Sequence, residues 1–248
     1  VGPSPPRPTT DIVGGFVPKI TIPLSFSFWI NRALTQNYKK KGILAQGLIL
    51  KFKKLISFNY VAMDGEFASE AMLKFLTKNS INYSMRIARN RIIISEDKTK
   101  AQLQHHPKLK LKRNERSKTI KGTYKGINCY FTIHKRYSNS SKSYTVVYIV
   151  SSLDISSKKQ IEAYNIRWNI EKMFRTSKQS LGLGDCQCLT IEKQRTHIFS
   201  VFFAYAKLEE QKFFKRKKYV EQVINNFRSQ KLASSNFQSL LLEQTIMN

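Results

Sequence analysis

Residues 156–178 read Ser156-Ser157-Lys158-Lys159-Gln160-Ile161-Glu162-Ala163-Tyr164-Asn165-Ile166-Arg167-Trp168-Asn169-Ile170-Glu171-Lys172-Met173-Phe174-Arg175-Thr176-Ser177-Lys178, and the rest of the chain is read outward from them. Either serine at the start suits an N-cap, and Gly182 and Gly184 mark the end, so the pattern predicts one helix over residues 156–178. At about 100° per residue, Tyr164, Arg167, Glu171 and Lys178 share a stripe about 60° wide, with Arg175 beside it. Met173, Phe174 and Ile170 fall on the other side, where they can pack on a sheet. Trp168 lies about 40° from Tyr164, as a packing residue or a surface on which a base can stack. A carboxylate set between cations suits a metal ion flanked by phosphates. It equally suits a solvated face with i,i+4 pairs such as Glu171–Arg175.

Upstream, Asn59-Tyr60-Val61-Ala62-Met63-Asp64-Gly65-Glu66-Phe67 sets Asp64 at the C-terminal end of a short buried strand. In open α/β sheets that edge faces a crevice, and a carboxylate there can ligate a divalent cation. The competing reading is an Asp-Gly turn formed for backbone reasons alone.

Elsewhere the patterning predicts a strand over residues 20–28, from Ile20, Ile22, Leu24, Phe26 and Phe28 at period two, with Pro23 suggesting an edge. It predicts a helix over 39–56 with Ile43, Leu44, Leu48, Leu50 and Leu55 as its apolar positions. A second helix is expected over 69–77 with Ala71, Met72, Phe75 and Leu76 inward, followed by strands at 83–88 and 92–94. Residues 98–125 are strongly basic and read as a solvated loop. A β-hairpin follows at 128–134 and 143–151. From Ile191 onward the chain reads as helical, with a cluster of Lys212, Lys215, Arg216, Lys217 and Lys218 that is either a solvated face or a phosphate contact. Residues 1–19, rich in proline at the start, read as an extended lead-in without stable order.

The chain has 248 residues with 43 Lys and Arg against 16 Asp and Glu, a net charge of +27. Its apolar content of 41% excludes a disordered basic tail. Such a charge repels itself unless a polyanion screens it, which makes nucleic acid the leading partner class ahead of an anionic membrane surface. Three cysteines, Cys129, Cys186 and Cys188, build no disulfide framework and point to a reducing compartment. Cys186-x-Cys188 with His197 is a poor match to structural zinc spacing, so these thiols read as structural. His105-His106, in the lysine-rich stretch, reads as solvated. No stretch approaches the roughly 20 apolar residues of a membrane span, and Pro3, Pro5, Pro6 and Pro8 break any secretory signal. A prokaryotic, cytoplasmic, nucleoid-associated protein is expected.

Tyr164-x2-Arg167-x3-Glu171-x6-Lys178 resembles the signature of a large group of bacterial insertion-sequence transposases of the DDE type. The surrounding residues 161–175 resemble that group's helix, and Asp64-Gly65-Glu66-Phe67 resembles its second catalytic Asp and the following turn. The resemblance implies an α/β fold: a ribonuclease H-like mixed sheet, five-stranded and flanked by helices, with a β-rich insertion before the catalytic-Glu helix. Glu171 stands 107 positions beyond Asp64, which leaves room for that insertion at about residues 98–155. By the same resemblance residues 20–210 are the catalytic domain and 211–248 a basic helical extension. Asp64 and Glu171 would be catalytic carboxylates holding Mg²⁺, with Mn²⁺ as a substitute. Tyr164, Arg167, Arg175 and Lys178 would contact phosphates of double-stranded DNA at transposon ends, in a complex formed by a homodimer. The implied activity is cut-and-paste transposition by metal-dependent phosphodiester cleavage and strand transfer.

The match fails at the first catalytic Asp. Asp11 is the only acidic residue ahead of Asp64, and it follows prolines rather than an apolar strand. The expectation is an N-terminally truncated member that binds DNA with little or no cleavage of its own. The alternative is a non-catalytic DNA-binding remnant or a basic nucleic-acid-binding protein.

Overall fold

The computed structural model describes residues 20–29, 36, 38–138 and 142–231. Asp11, the lead-in over 1–19 and the chain beyond 231 lie outside the described residues. The backbone divides into two compact units, one on Ser25–Ile170 and the other on Glu171–Asn248 with Val1–Leu24.

The first unit opens with α1 (Lys41–Leu55), β1 (Val61–Met63), a 3₁₀ turn at Gly65–Phe67, α2 (Glu70–Lys78) and β2 (Tyr83–Arg86). Ser69 caps α2 by accepting a hydrogen bond from the Met72 N–H at 3.2 Å, as a Ser before an apolar run should. β1 and β2 pair in parallel, Val61 with Tyr83 through Met63 with Met85. A parallel pair needs a crossover, and α2 supplies it. It buries Met72, Leu73 and Leu76; Leu73 replaces Ala71, which was expected inward and is exposed.

β3 (Ile92–Ser95), β4 (Lys100–Gln102), β5 (Ser117–Tyr124), β6 (Ile127–Ser138) and β7 (Ser143–Ser151) complete one seven-stranded sheet in the order β1-β2-β7-β6-β5-β3-β4. All pairings but β1–β2 are antiparallel. The fold is therefore the expected mixed α/β sheet flanked by helices, with seven strands where the resemblance implied five. The β-rich segment ahead of Glu171 is built into the sheet, with β7 seated directly beside β2. The core gathers Met72, Leu73, Leu76, Tyr83, Met85, Phe131 and Val150 between the sheet and α2.

Two expectations are corrected, on residues 20–28 and on residues 98–125. Residues 20–29 join no ladder, and Ile20, Ile22 and Leu24 are exposed. Period-two alternation sets which way side chains point but does not supply a pairing partner, and Pro23 has no N–H to offer one. Residues 98–125 are not a solvated loop. They contain β4, 3₁₀ turns at Leu103–His105 and Pro107–Leu109, and β5, with Leu103 and Leu109 buried. A few apolar side chains go inward while the lysines point out, and lysine-dominated composition hides that pattern. α1 forms where expected but buries none of its residues fully; Ala45 and Ile49 rest on the core while Ile43, Leu50 and Leu55 are exposed.

The helix expected over 156–178 forms as two: α3 (Ser157–Asn165), capped by Ser156, and α4 (Trp168–Ser180). Between them Arg167 N–H donates to Tyr164 C=O, Asn169 N–H to Ile166 C=O and Ile170 N–H to Arg167 C=O. These i→i−3 bonds wind the backbone more tightly than an α-helix, which shifts the angular phase of every residue after Ile166. The second unit holds the rest of α4, then α5 (Ile191–Phe214) and α6 over residues 220–231. Its core joins Met173, Val201, Phe202, Tyr205, Val220 and Val223. Gly182, at φ +70°, turns the chain after α4, the left-handed conformation that glycine adopts without strain. No described helix is long and apolar enough to cross a membrane.

Two predictions follow from this packing. A Cβ at Gly122 would meet the Ile94 carbonyl oxygen at 2.5 Å, where β5 crosses close to β3. Gly122→Ala should therefore cost about 1–3 kcal/mol in urea unfolding, the range for forced overpacking. Cys129 is buried, and burial pushes its thiol up to about 11. With a disulfide reagent near pH 8, Cys186 and Cys188 should react in the native chain and Cys129 only after unfolding.

Candidate active site

Asp64 stands at the C-terminal end of β1 and caps the 3₁₀ turn; its Oδ1 accepts from the Gly65 N–H at 2.7 Å. Its Oδ2 lies 3.9 Å from Arg167 Nη1, with the Asp64 side chain 55% exposed and that of Arg167 only 16%. At that distance and exposure the ion pair is weak, so its main effect is orientation. Arg167 is held from the sides: its guanidinium carbon is 5.5 Å from the Tyr164 ring centre and 5.8 Å from that of Trp168. Tyr164 is itself buried, at the end of α3. From β6, Arg136 reaches the Trp168 ring at 5.8 Å. The first unit thus carries a row of cations and rings, Arg136, Trp168, Arg167 and Tyr164, leading to one exposed carboxylate.

The structure therefore brings Asp64, Tyr164 and Arg167 together. Trp168 belongs with them, packed between two guanidinium groups. Arg136 was not anticipated from the sequence. The available signal was its place just beyond the strand expected over 128–134, in an acid-free hairpin, but nothing in the pattern pairs it with Trp168. Glu171, Arg175 and Lys178 all lie on α4, Glu171 half-buried in its first turn and Arg175 and Lys178 exposed. The helix expected to carry Tyr164, Arg167, Glu171 and Lys178 is interrupted at 166–167, so Tyr164 closes α3, Arg167 lies at the junction, and Glu171 and Lys178 belong to α4. Of the residues expected behind it, Met173 is buried. Phe174 makes an edge contact with Phe202, and Ile170 is exposed.

Asp64 fits a divalent cation in one respect: one oxygen is tied to the backbone, and the exposed remainder leaves room for an ion that keeps most of its water. Among the described residues, no three His, Cys, Asp or Glu side chains group to hold a metal ion. Cys186 and Cys188 share a hydrogen bond that pushes the exposed Cys188 thiol up. His197 Nε2 is engaged with the Gly182 carbonyl at 2.9 Å.

Two other expectations change. His105 is exposed, but His106 is buried, its Nε2 3.1 Å from Ser95 Oγ. The ring fills a gap under the two 3₁₀ turns that a lysine-rich composition did not reveal. Lys212 is no part of a solvated cluster. It is buried and ion-paired with Glu209, which also accepts from the Tyr205 hydroxyl at 2.9 Å. Lys215, Arg216 and Lys218 remain exposed at the end of α5. An open cavity of 470 Å³ lies between the end of α1 and the start of β1, lined by Lys53, Lys54, Asn59 and Asn82 among others. It is at the other end of β1 from Asp64.

No curated protein matches the chain. A family model described as a transposase DDE domain matches residues 37–207, a span that takes in β1 with Asp64, the whole sheet, and α3 and α4. With most of its length matched, and with the mixed sheet and a carboxylate at the end of its first strand, the chain belongs to the transposase DDE domain family.

Proposed function

We propose that this protein acts on double-stranded DNA as a cut-and-paste transposase, with Asp64 and Glu171 as metal-ligating carboxylates. The observation that carries the reading is Asp64, exposed at the C-terminal end of β1 with Arg167 turned toward it. A phosphodiester laid against this surface meets Arg167 first, and a guanidinium set by two rings is well suited to phosphate. Tyr164 holds that guanidinium, and Arg175 and Lys178 extend the positive charge along α4. Bound Mg²⁺ or Mn²⁺ would activate the attacking oxygen and stabilise the leaving one. The partner is duplex DNA at transposon ends, engaged by a homodimer in the cytoplasm.

Two carboxylates hold a two-metal site poorly, so the chain by itself is expected to bind duplex DNA with little strand cleavage. Asp64→Asn is the informative change, since asparagine can still accept from the Gly65 N–H and keep the turn capped. In the proposal, Mn²⁺ binding followed by calorimetry is lost in Asp64→Asn, and binding to end-containing duplex weakens steeply with salt in both chains. Unchanged Mn²⁺ binding in Asp64→Asn removes the metal role. Failure of the native chain to bind duplex at low salt overturns the reading as a whole. Robust nicking by the chain alone, lost in Asp64→Asn and Glu171→Gln, would retain the metal role and overturn the inactivity.

A further inference from the structure

β6 and β7 run on together after their neighbours have stopped. β5 leaves β6 at the Ser117–His134 pair, and β2 contacts β7 only from Ile149 to Ser151. Beyond these points four pairs continue as a ribbon of two strands: Lys135–Val146, Arg136–Thr145, Tyr137–Tyr144 and Ser138–Ser143. At about 3.3 Å per residue the ribbon extends some 13 Å beyond the sheet.

Its two faces differ. One carries the cross-strand pair Tyr137 and Tyr144, ring centres 5.1 Å apart, with Lys135 Nζ 4.6 Å from the Tyr144 ring. These tyrosines are 47% and 55% exposed, and Val146 beside them is exposed as well. The other face carries Arg136, whose guanidinium stacks on Trp168 and so connects the ribbon to Arg167 and Asp64 within the same unit. Residues 116–153 contain seven Lys and Arg and no Asp or Glu. An exposed aromatic pair in so one-signed a segment calls for a partner that is densely negative and offers apolar surface between its charges. It suits a polyanion with apolar edges.

We propose that this ribbon is a DNA-groove element. It enters the major groove of duplex DNA lying across Asp64, with Tyr137 and Tyr144 against base edges and sugars and with Lys135 and Arg136 on the flanking phosphates. A major groove about 12 Å wide admits a two-stranded ribbon, and 13 Å is enough to reach its floor, about 8.5 Å deep. The inference rests on the duplex-DNA reading above and adds to it the element that holds the duplex in register.

The test uses the full chain and a fluorescein-labelled duplex oligonucleotide, followed by anisotropy across a salt series. Circular dichroism and thermal melting check that each variant is folded. Tyr137→Ala with Tyr144→Ala should weaken binding about tenfold or more while leaving the salt slope unchanged. Lys135→Ala with Arg136→Ala should lower the slope by about two, one for each lost phosphate contact. Tyr144→Phe, which keeps the ring, should bind as the native chain does. If the native chain binds duplex and both double variants match it in affinity and slope, the ribbon has no such role, although the DNA reading stands. If the tyrosine variant changes only the sedimentation of the free chain, the ribbon is a self-association edge and the proposal is overturned. Absence of duplex binding by the native chain removes the DNA reading and this inference together.

Discussion

The ladder between β6 and β7 joins nine residue pairs, from Tyr130–Ser151 to Ser138–Ser143, and the sheet of the first unit is assembled on it. β5 attaches to the outer edge of β6 and carries β3 and β4 with it; β2 attaches to β7 and carries β1. Asp64 therefore holds its position at the end of a three-residue strand because β1 is braced by β2, and β2 by a much longer ladder. A strand as short as β1 has little stability of its own. Its single parallel pairing is made good by α2, which seals Leu73 and Leu76 against the sheet.

The same ladder sets the surroundings of the carboxylate. Arg136 comes from β6, Tyr164 from the end of α3, and Arg167 and Trp168 from the junction that follows. Stacking of guanidinium groups on aromatic rings keeps their charge available while fixing their planes. A long, loosely held arginine would lose side-chain entropy on meeting a phosphate. Arg167, largely enclosed between two rings, has already lost most of it.

Much of this was legible in the sequence where short-range patterns control the outcome. Asp64 at a strand end, the hairpin at 128–151, Ser156 as a cap and Gly182 as a stop all follow from local chemistry. Residues whose environment depends on distant partners were not legible. Nothing within residues 20–28 says whether a sheet edge awaits them. His106 and Lys212 are polar residues buried by contacts outside their own neighbourhood, with Ser95 and Glu209 respectively. The change of pitch at 166–167 was also hidden, since helix periodicity assumes a constant rotation per residue. There the matched spacing identified the family correctly even though the helix that carries it is interrupted.

The acid-free run over residues 116–153 also bears on folding. β5 brings Lys118 and Lys121 to the sheet and β6 brings Lys135 and Arg136, with no carboxylate on either strand, whereas β7 carries no charged side chain. Added salt screens the repulsion between these cations, whereas the same salt would weaken the proposed attachment to DNA. Folding and the proposed binding would thus respond to ionic strength in opposite directions. In the proposed complex a bound duplex would satisfy both requirements, supplying the counter-charge as well as the ligand, and the sheet would then be most stable on DNA.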